Sequence, residues 1–193
     1  MEQTLLNKEK QVKPNNPQKF LLWVAIASIV MSFAGLTSAY LVKRANSNWL
    51  EFSLPRVFWI STVVIIASSI VMHFAVKSFK SRNIKNYRLL ISITGILGLI
   101  FCVLQFMGYS DMAERNIHIF GTGSNPAASF VGVISGFHIL HVLGGIIALA
   151  IVVAKSFNSK VKTYSTTLTE NVATYWHFVD ILWVYLFIFF NIA

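Results

Sequence analysis

Residues 129–154 read SFVGVISGFHILHVLGGIIALAIVVA, and this stretch decides the fold. It carries no Asp, Glu, Lys or Arg along 26 residues. At about 1.5 Å per residue, a helix of that length crosses a hydrocarbon layer about 30 Å thick. In water the same helix would have no polar face to show the solvent. Four further runs of this kind flank it, at 20–42, 57–76, 89–109 and 172–192. Period-two alternation is missing from all of them, which excludes a membrane β-barrel. No internal repeat of 20 to 50 residues is visible. The expected fold is all-α: a polytopic membrane protein with a five-transmembrane-helix bundle.

The rest of the chain fits this frame. Hydrophobic residues make up 55% of the 193 and charged residues only 12%, with a mean hydropathy of +0.64. A soluble chain of this size needs more surface charge. The net charge is +9, but the Lys and Arg residues lie between the apolar runs. That placement suits anionic lipid headgroups and argues against nucleic acid as a partner. Cys102 is the sole cysteine and lies within a span, so it reads as a small apolar residue rather than a metal or disulfide partner.

Residues 1–19 are polar, and the run after them is too long for a signal peptide and lacks a small-x-small cleavage site. They are expected to form a cytoplasmic N-terminal tail, followed by a single five-helix membrane domain, 20–193. Charge sets the orientation. Lys8, Lys10, Lys13, Lys19, Lys77, Lys80, Arg82, Lys85, Arg88, Lys155, Lys160 and Lys162 fall on one side. Only Lys43, Arg44, Arg56 and Arg115 fall on the other. The positive-inside rule then expects a cytoplasmic N-terminus and a C-terminus on the outer side. The long connection 110–128, rich in Gly, Asn and Pro, is expected to be an irregular external loop.

Polar residues inside the spans are few and therefore informative. Asp180 is the one carboxylate within a run, and His177 lies three residues before it on the same helical face. Two readings meet this pair: a proton-relay carboxylate, or a polar pair that fixes helix packing through a mutual or shared hydrogen bond. A relay usually needs a chain of further ionisable groups, which favours packing. His138 and His141 form a second i, i+3 pair, open to metal or haem ligation or to interhelical hydrogen bonding. Zinc wants a third ligand, and none is in sequence reach. A bis-histidine haem wants equal depths. From the expected spans, His138 and His141 lie about 20 to 24 Å from the cytoplasmic face and His177 about 8 Å. Hydrogen bonding is the better account of both pairs.

Small residues mark where helices approach. Gly132 and Gly136 form a GxxxG spacing beside Ser135, Gly144 and Gly145 follow, and Gly35 repeats the spacing with Ala39. Trp23, Trp49, Trp59, Trp176 and Tyr109 fall near span ends and suit interfacial anchors, whereas Trp183 lies deep and reads as packing. His73 and His118 read as solvent or interface residues.

These residues carry a resemblance. Residues 175–187, YWHFVDILWVYLF, look like the last-helix signature of subunit III of haem-copper terminal oxidases. Residues 137–145, FHILHVLGG, resemble that family's penultimate helix, and 33–40, FAGLTSAY, its first common helix, while Gln105 and Tyr109 fit the third. The likeness runs in order over roughly 20–192. It implies the short five-helix bacterial form, placed in a bacterial cytoplasmic membrane with a periplasmic C-terminus, a subunit with no catalytic site and no cofactor of its own. Haem and copper are then expected in partner subunits I and II, which oxidise cytochrome c or quinol, reduce oxygen to water and pump protons. The resemblance further implies packing on subunit I, phospholipid binding, and support of proton uptake and stability, and it leaves open a larger respiratory supercomplex. One departure stands out: a buried Glu common on the first shared helix is absent from ASIVMS at 27–32, so no proton role carries over to it. The alternative is a small membrane cytochrome or proton-translocating enzyme that uses its own histidines.

Overall fold

A computed structural model describes residues 17–45, 49, 52–119, 121, 124–157 and 166–192. Most of the expected tail lies outside these residues, as do Lys160 and Lys162 of the fourth connection. All regular structure among the described residues is helical: α1 (Pro17–Arg44), α2 (Arg56–Lys80), α3 (Ile84–Glu114), α4 (Pro126–Phe157) and α5 (Thr166–Ile192). All five are long and apolar enough to cross a membrane.

Each helix outruns its expected span, because the backbone ladder continues past the apolar stretch until a local stop. Pro17 opens α1 and Pro126 opens α4, positions where the missing N–H costs nothing. Asn125 Oδ1 accepts from the Ala127 N–H at 2.9 Å, and Asn83 Oδ1 from the Asn86 N–H at 3.3 Å, so both starts are capped. Arg82, at φ 58°, turns the chain sharply between α2 and α3. The third connection starts later than expected, since α3 stays helical through Glu114.

Helices α2, α3, α4 and α5 close a ring in which each packs on its sequence or ring neighbour, α2 meeting α5 to complete it. Helix α1 stands outside, packed against α4 and α5 only. The ring core is aromatic and aliphatic, with Phe58, Ile65, Met72, Phe101, Trp176 and Trp183 almost fully buried. A smaller cluster, Phe33, Tyr40, Val131, Ile134, Leu182 and Leu186, seats α1.

Candidate functional site

Helix α2 supplies the hydroxyls that organise the interior. Ser61, Thr62, Ser68 and Ser69 repeat at a spacing of seven and therefore face one way. Ser61 Oγ accepts from Gln105 Nε2 of α3 at 2.9 Å. Thr62 Oγ1 accepts from Trp183 Nε1 at 3.0 Å, and Ser68 Oγ from Trp176 Nε1 at 2.9 Å, both indoles coming from α5. Tyr109 of α3 donates to Ser135 Oγ of α4 at 2.8 Å, and Tyr175 of α5 donates to the His141 carbonyl at 3.1 Å. In hydrocarbon such bonds contribute about 0.6 kcal/mol each on average, so it is the set that fixes the register.

The expected site residues fall into separate places. His177 does not bond Asp180; Ser69 Oγ lies 2.7 Å from His177 Nδ1. Asp180 is only 3% exposed, and both its oxygens are without a hydrogen bond among the described residues.

His177 forms the inner end of a groove of about 500 Å³ between α1, α2 and α5. Its walls include Trp23, His73 and Thr174, and at its mouth stand Lys19, Lys80 and Glu170. The Glu170 carboxylate joins Lys19 at 3.3 Å and Lys80 at 3.5 Å, spanning the gap between α1 and α2. Helices α1 and α2 do not pack on each other, so this ion triplet is what links them at the basic end. The groove thus carries ionisable groups from the surface to one helical turn short of Asp180.

His138 behaves differently. It is fully buried, and neither ring nitrogen finds a hydrogen-bond partner among the described residues. The interhelical hydrogen bond expected for it is not formed. Instead the ring is boxed by Trp183 at 5.2 Å, Phe101 at 5.8 Å and Phe33 at 6.5 Å between centroids. His141 turns its Nδ1 to the Phe137 carbonyl at 2.7 Å, within its own helix. Among the described residues no three His, Cys, Asp or Glu side chains come together to hold a metal ion.

Two other expectations are corrected. Trp176 is no interfacial anchor: it is 1% exposed and sits ten residues inside α5, which begins at Thr166 rather than at 172. Among the described residues, the GxxxG glycines are not where helices of this chain meet. A Cβ on Gly132 would strike Ile119 of the third connection, at 2.3 Å, while one on Gly35 or Gly136 would meet nothing within 4 Å. The close approaches lie elsewhere. Gly145 receives the Trp176 ring at 3.0 Å, Gly144 comes within 3.8 Å of the Tyr175 hydroxyl, and Gly98 and Gly108 receive Trp176 and Phe58. Gly98, Gly108 and the α2 hydroxyls were missed; the seven-residue spacing of Ser61–Thr62 and Ser68–Ser69 was the available signal.

A ring of four apolar helices tied by hydroxyl and indole, with a fifth laid against it, defines a multi-pass membrane protein of the helical-bundle class. Residues 50–192 match the family model of cytochrome c oxidase subunit III. The chain is 33% identical over 173 residues to cytochrome c oxidase subunit 3 of Corynebacterium diphtheriae, covering 86% of this chain and 82% of that one. It is 35% identical over 176 residues to the probable cytochrome c oxidase subunit 3 of Mycobacterium tuberculosis, with the same coverage. With the subunit 3 of Thermostichus vulcanus the identity is 31% over 176 residues, again at 86% and 82%. The chain belongs to the cytochrome c oxidase subunit III family, and with it to an oxidase complex containing other subunits.

Proposed function

We propose that this chain is the non-catalytic third subunit of a bacterial respiratory oxidase that reduces oxygen to water. In this reading it lies in the cytoplasmic membrane with the Lys-rich end inside and the C-terminus in the periplasm. It packs on subunit I, in a complex that subunit II completes and whose haem and copper those two subunits hold. Its part is to keep proton uptake and turnover going by holding neighbouring helices and phospholipid in place. The observation that supports this most directly is the aromatic box round His138, which gives its deepest imidazole to packing rather than to ligation.

Phospholipid fits a second pocket, at the end away from the groove, lined by Tyr40, Arg44, Trp49, Phe52, Phe190 and Asn191. A guanidinium beside amphipathic rings at a helix end suits a lipid phosphate. The test is affinity purification of the native complex, with spectra and subunit composition measured together. The expected result is copurification with metal-bearing subunits and no haem absorbance from the separated chain. Stoichiometric haem on the separated chain would overturn the reading in favour of a membrane cytochrome. Bound lipid is expected to fall in Arg44→Ala.

A further inference from the structure

Helix α4 holds a polar group at its surface that its own chain does not satisfy. His141 lies fifteen residues after Pro126 and sixteen before Phe157, the two ends of the helix. At about 1.5 Å per residue that is about 23 Å from either end, the middle of the hydrocarbon layer. Its Nδ1 bonds the Phe137 carbonyl at 2.7 Å. A carbonyl oxygen only accepts, so Nδ1 carries the proton, and in the neutral imidazole Nε2 is left as the acceptor. No donor reaches Nε2 among the described residues. The Tyr175 hydroxyl, which comes over from α5, is committed to the His141 carbonyl at 3.1 Å. The Phe33 ring of α1 stands at 5.7 Å and has no N–H or O–H to give.

Lipid does not supply the missing donor. Acyl chains at this depth carry neither donors nor acceptors, and polar side chains within membrane spans almost always face protein. Yet this chain does not enclose the ring. His141 is partly exposed, and Gly144, one turn further on, is exposed and sets no side chain beside it. Outward from the ring runs a row of exposed apolar residues, Val133, Phe137, Leu140, Ile147 and Ile151. Steps of three, four and seven residues keep the row on one helical face. An apolar row alone suits lipid; a hydrogen-bond acceptor at its edge suits protein. The chain also belongs to a complex that contains other subunits.

We infer that the outer face of α4 is a docking surface for a transmembrane helix of a neighbouring oxidase subunit, one that presents a hydroxyl, indole or amide donor to His141 Nε2 at the bilayer midplane. The apolar row packs on the incoming helix, and the bond to Nε2 fixes its depth and rotation, the use that membrane bundles make of isolated polar side chains. Residues 129–154 carry no charge, so a neutral donor completes the contact and no counter-ion is called for. The inference names a surface for the third-subunit reading above and rests on that reading for its partner.

Two measurements on the native complex test it. Leu140→p-benzoylphenylalanine puts a photoreactive ring at the centre of the row, on a side chain that is 63% exposed. Illumination is expected to join the chain to one other subunit of the complex, within a membrane-spanning segment of that subunit. An adduct with lipid alone, or with a second copy of this chain, overturns the inference, and this arm leaves His141 in place. The second measurement follows release of the chain from the complex as detergent is raised. His141→Phe keeps a ring against Phe33 and removes the acceptor. Release is expected to shift roughly 3-fold to 18-fold toward the free chain, the range that interhelical hydrogen bonds span in a membrane protein. His141→Gln, whose carbonyl oxygen accepts, is expected to recover most of the loss. Release unchanged in His141→Phe, or raised equally in His141→Gln, overturns the bond. A wild-type chain that brings down no metal-bearing subunit sinks the third-subunit reading and this inference with it. Copurification without a Leu140 adduct to another subunit sinks this inference alone.

Discussion

The indole of Trp176 fills the space that a side chain on Gly98 would need: a Cβ there would lie 2.6 Å from Trp176 Cη2. Helices α3 and α5 stand across the ring from each other with no backbone packing between them, so side chains bridge them: this indole, the Phe101–Trp183 ring pair and the Tyr87–Thr169 hydrogen bond. The Trp176 indole cannot swing aside, because its Nε1–H is bonded to Ser68 and Gly145 closes on its other edge. Gly98→Ala is therefore expected to destabilise the chain by about 1–3 kcal/mol through overpacking. Gly136→Ala, where nothing lies within 4 Å, should leave the thermal midpoint unchanged or slightly raised. Thermal unfolding of the solubilised complex compares the two, and equal effects would discount the bridge.

Thr62→Val leaves the Trp183 indole N–H buried without its acceptor. The expected loss lies between about 0.6 and about 1.7 kcal/mol, the average and the maximum for interhelical hydrogen bonds in a membrane protein. Thr62→Ser should restore most of it. A double-mutant cycle with Trp183→Phe isolates the bond from the packing of the ring.

His138→Leu removes a ring that makes aromatic contacts and no hydrogen bond. The cost is expected at about 0.5–1.5 kcal/mol, the worth of an aromatic pair. The visible spectrum and oxygen consumption of the complex should be unchanged. Disappearance of a haem band in this variant would make the imidazole a ligand and end the packing account.

Glu170→Gln breaks both links of the surface triplet. Lys19, Lys80 and Glu170 side chains are 51%, 60% and 31% exposed, so solvent screening holds the cost to about 0–1 kcal/mol. The effect should be local: faster amide exchange over the first turns of α1, with α3 unaffected. Uniformly faster exchange would show that the triplet supports the whole bundle.

The five helices were legible because hydrocarbon demands a length and a composition that few other structures share. Their ends were not, since backbone hydrogen bonding continues beyond the apolar stretch until a proline or asparagine cap ends it. That error of a few residues moved Trp176 from the ring interior to the membrane surface. Glycine spacing told which residues share a face and nothing about what meets that face. Gly98 waits for an indole 78 positions away, a distance at which no local pattern operates. The His177–Asp180 pair was visible as two residues on one helical face, but the hydrogen bond expected of Asp180 is not formed among the described residues. That His177 bonds Ser69 became visible only once α2 was laid against α5.

The peripheral seat of α1 has a consequence for how the molecule comes into being. This helix is made before the others, yet the two surfaces that receive it, on α4 and α5, are made last. It must wait in the lipid as a lone rod while three helices follow it out of the ribosome. Closure of the four-membered ring can precede its arrival, because no ring contact depends on it. Of the five helices, the first in the chain is thus the one whose docking the ring does not require, and the long loop that joins it to α4 and α5 can close last.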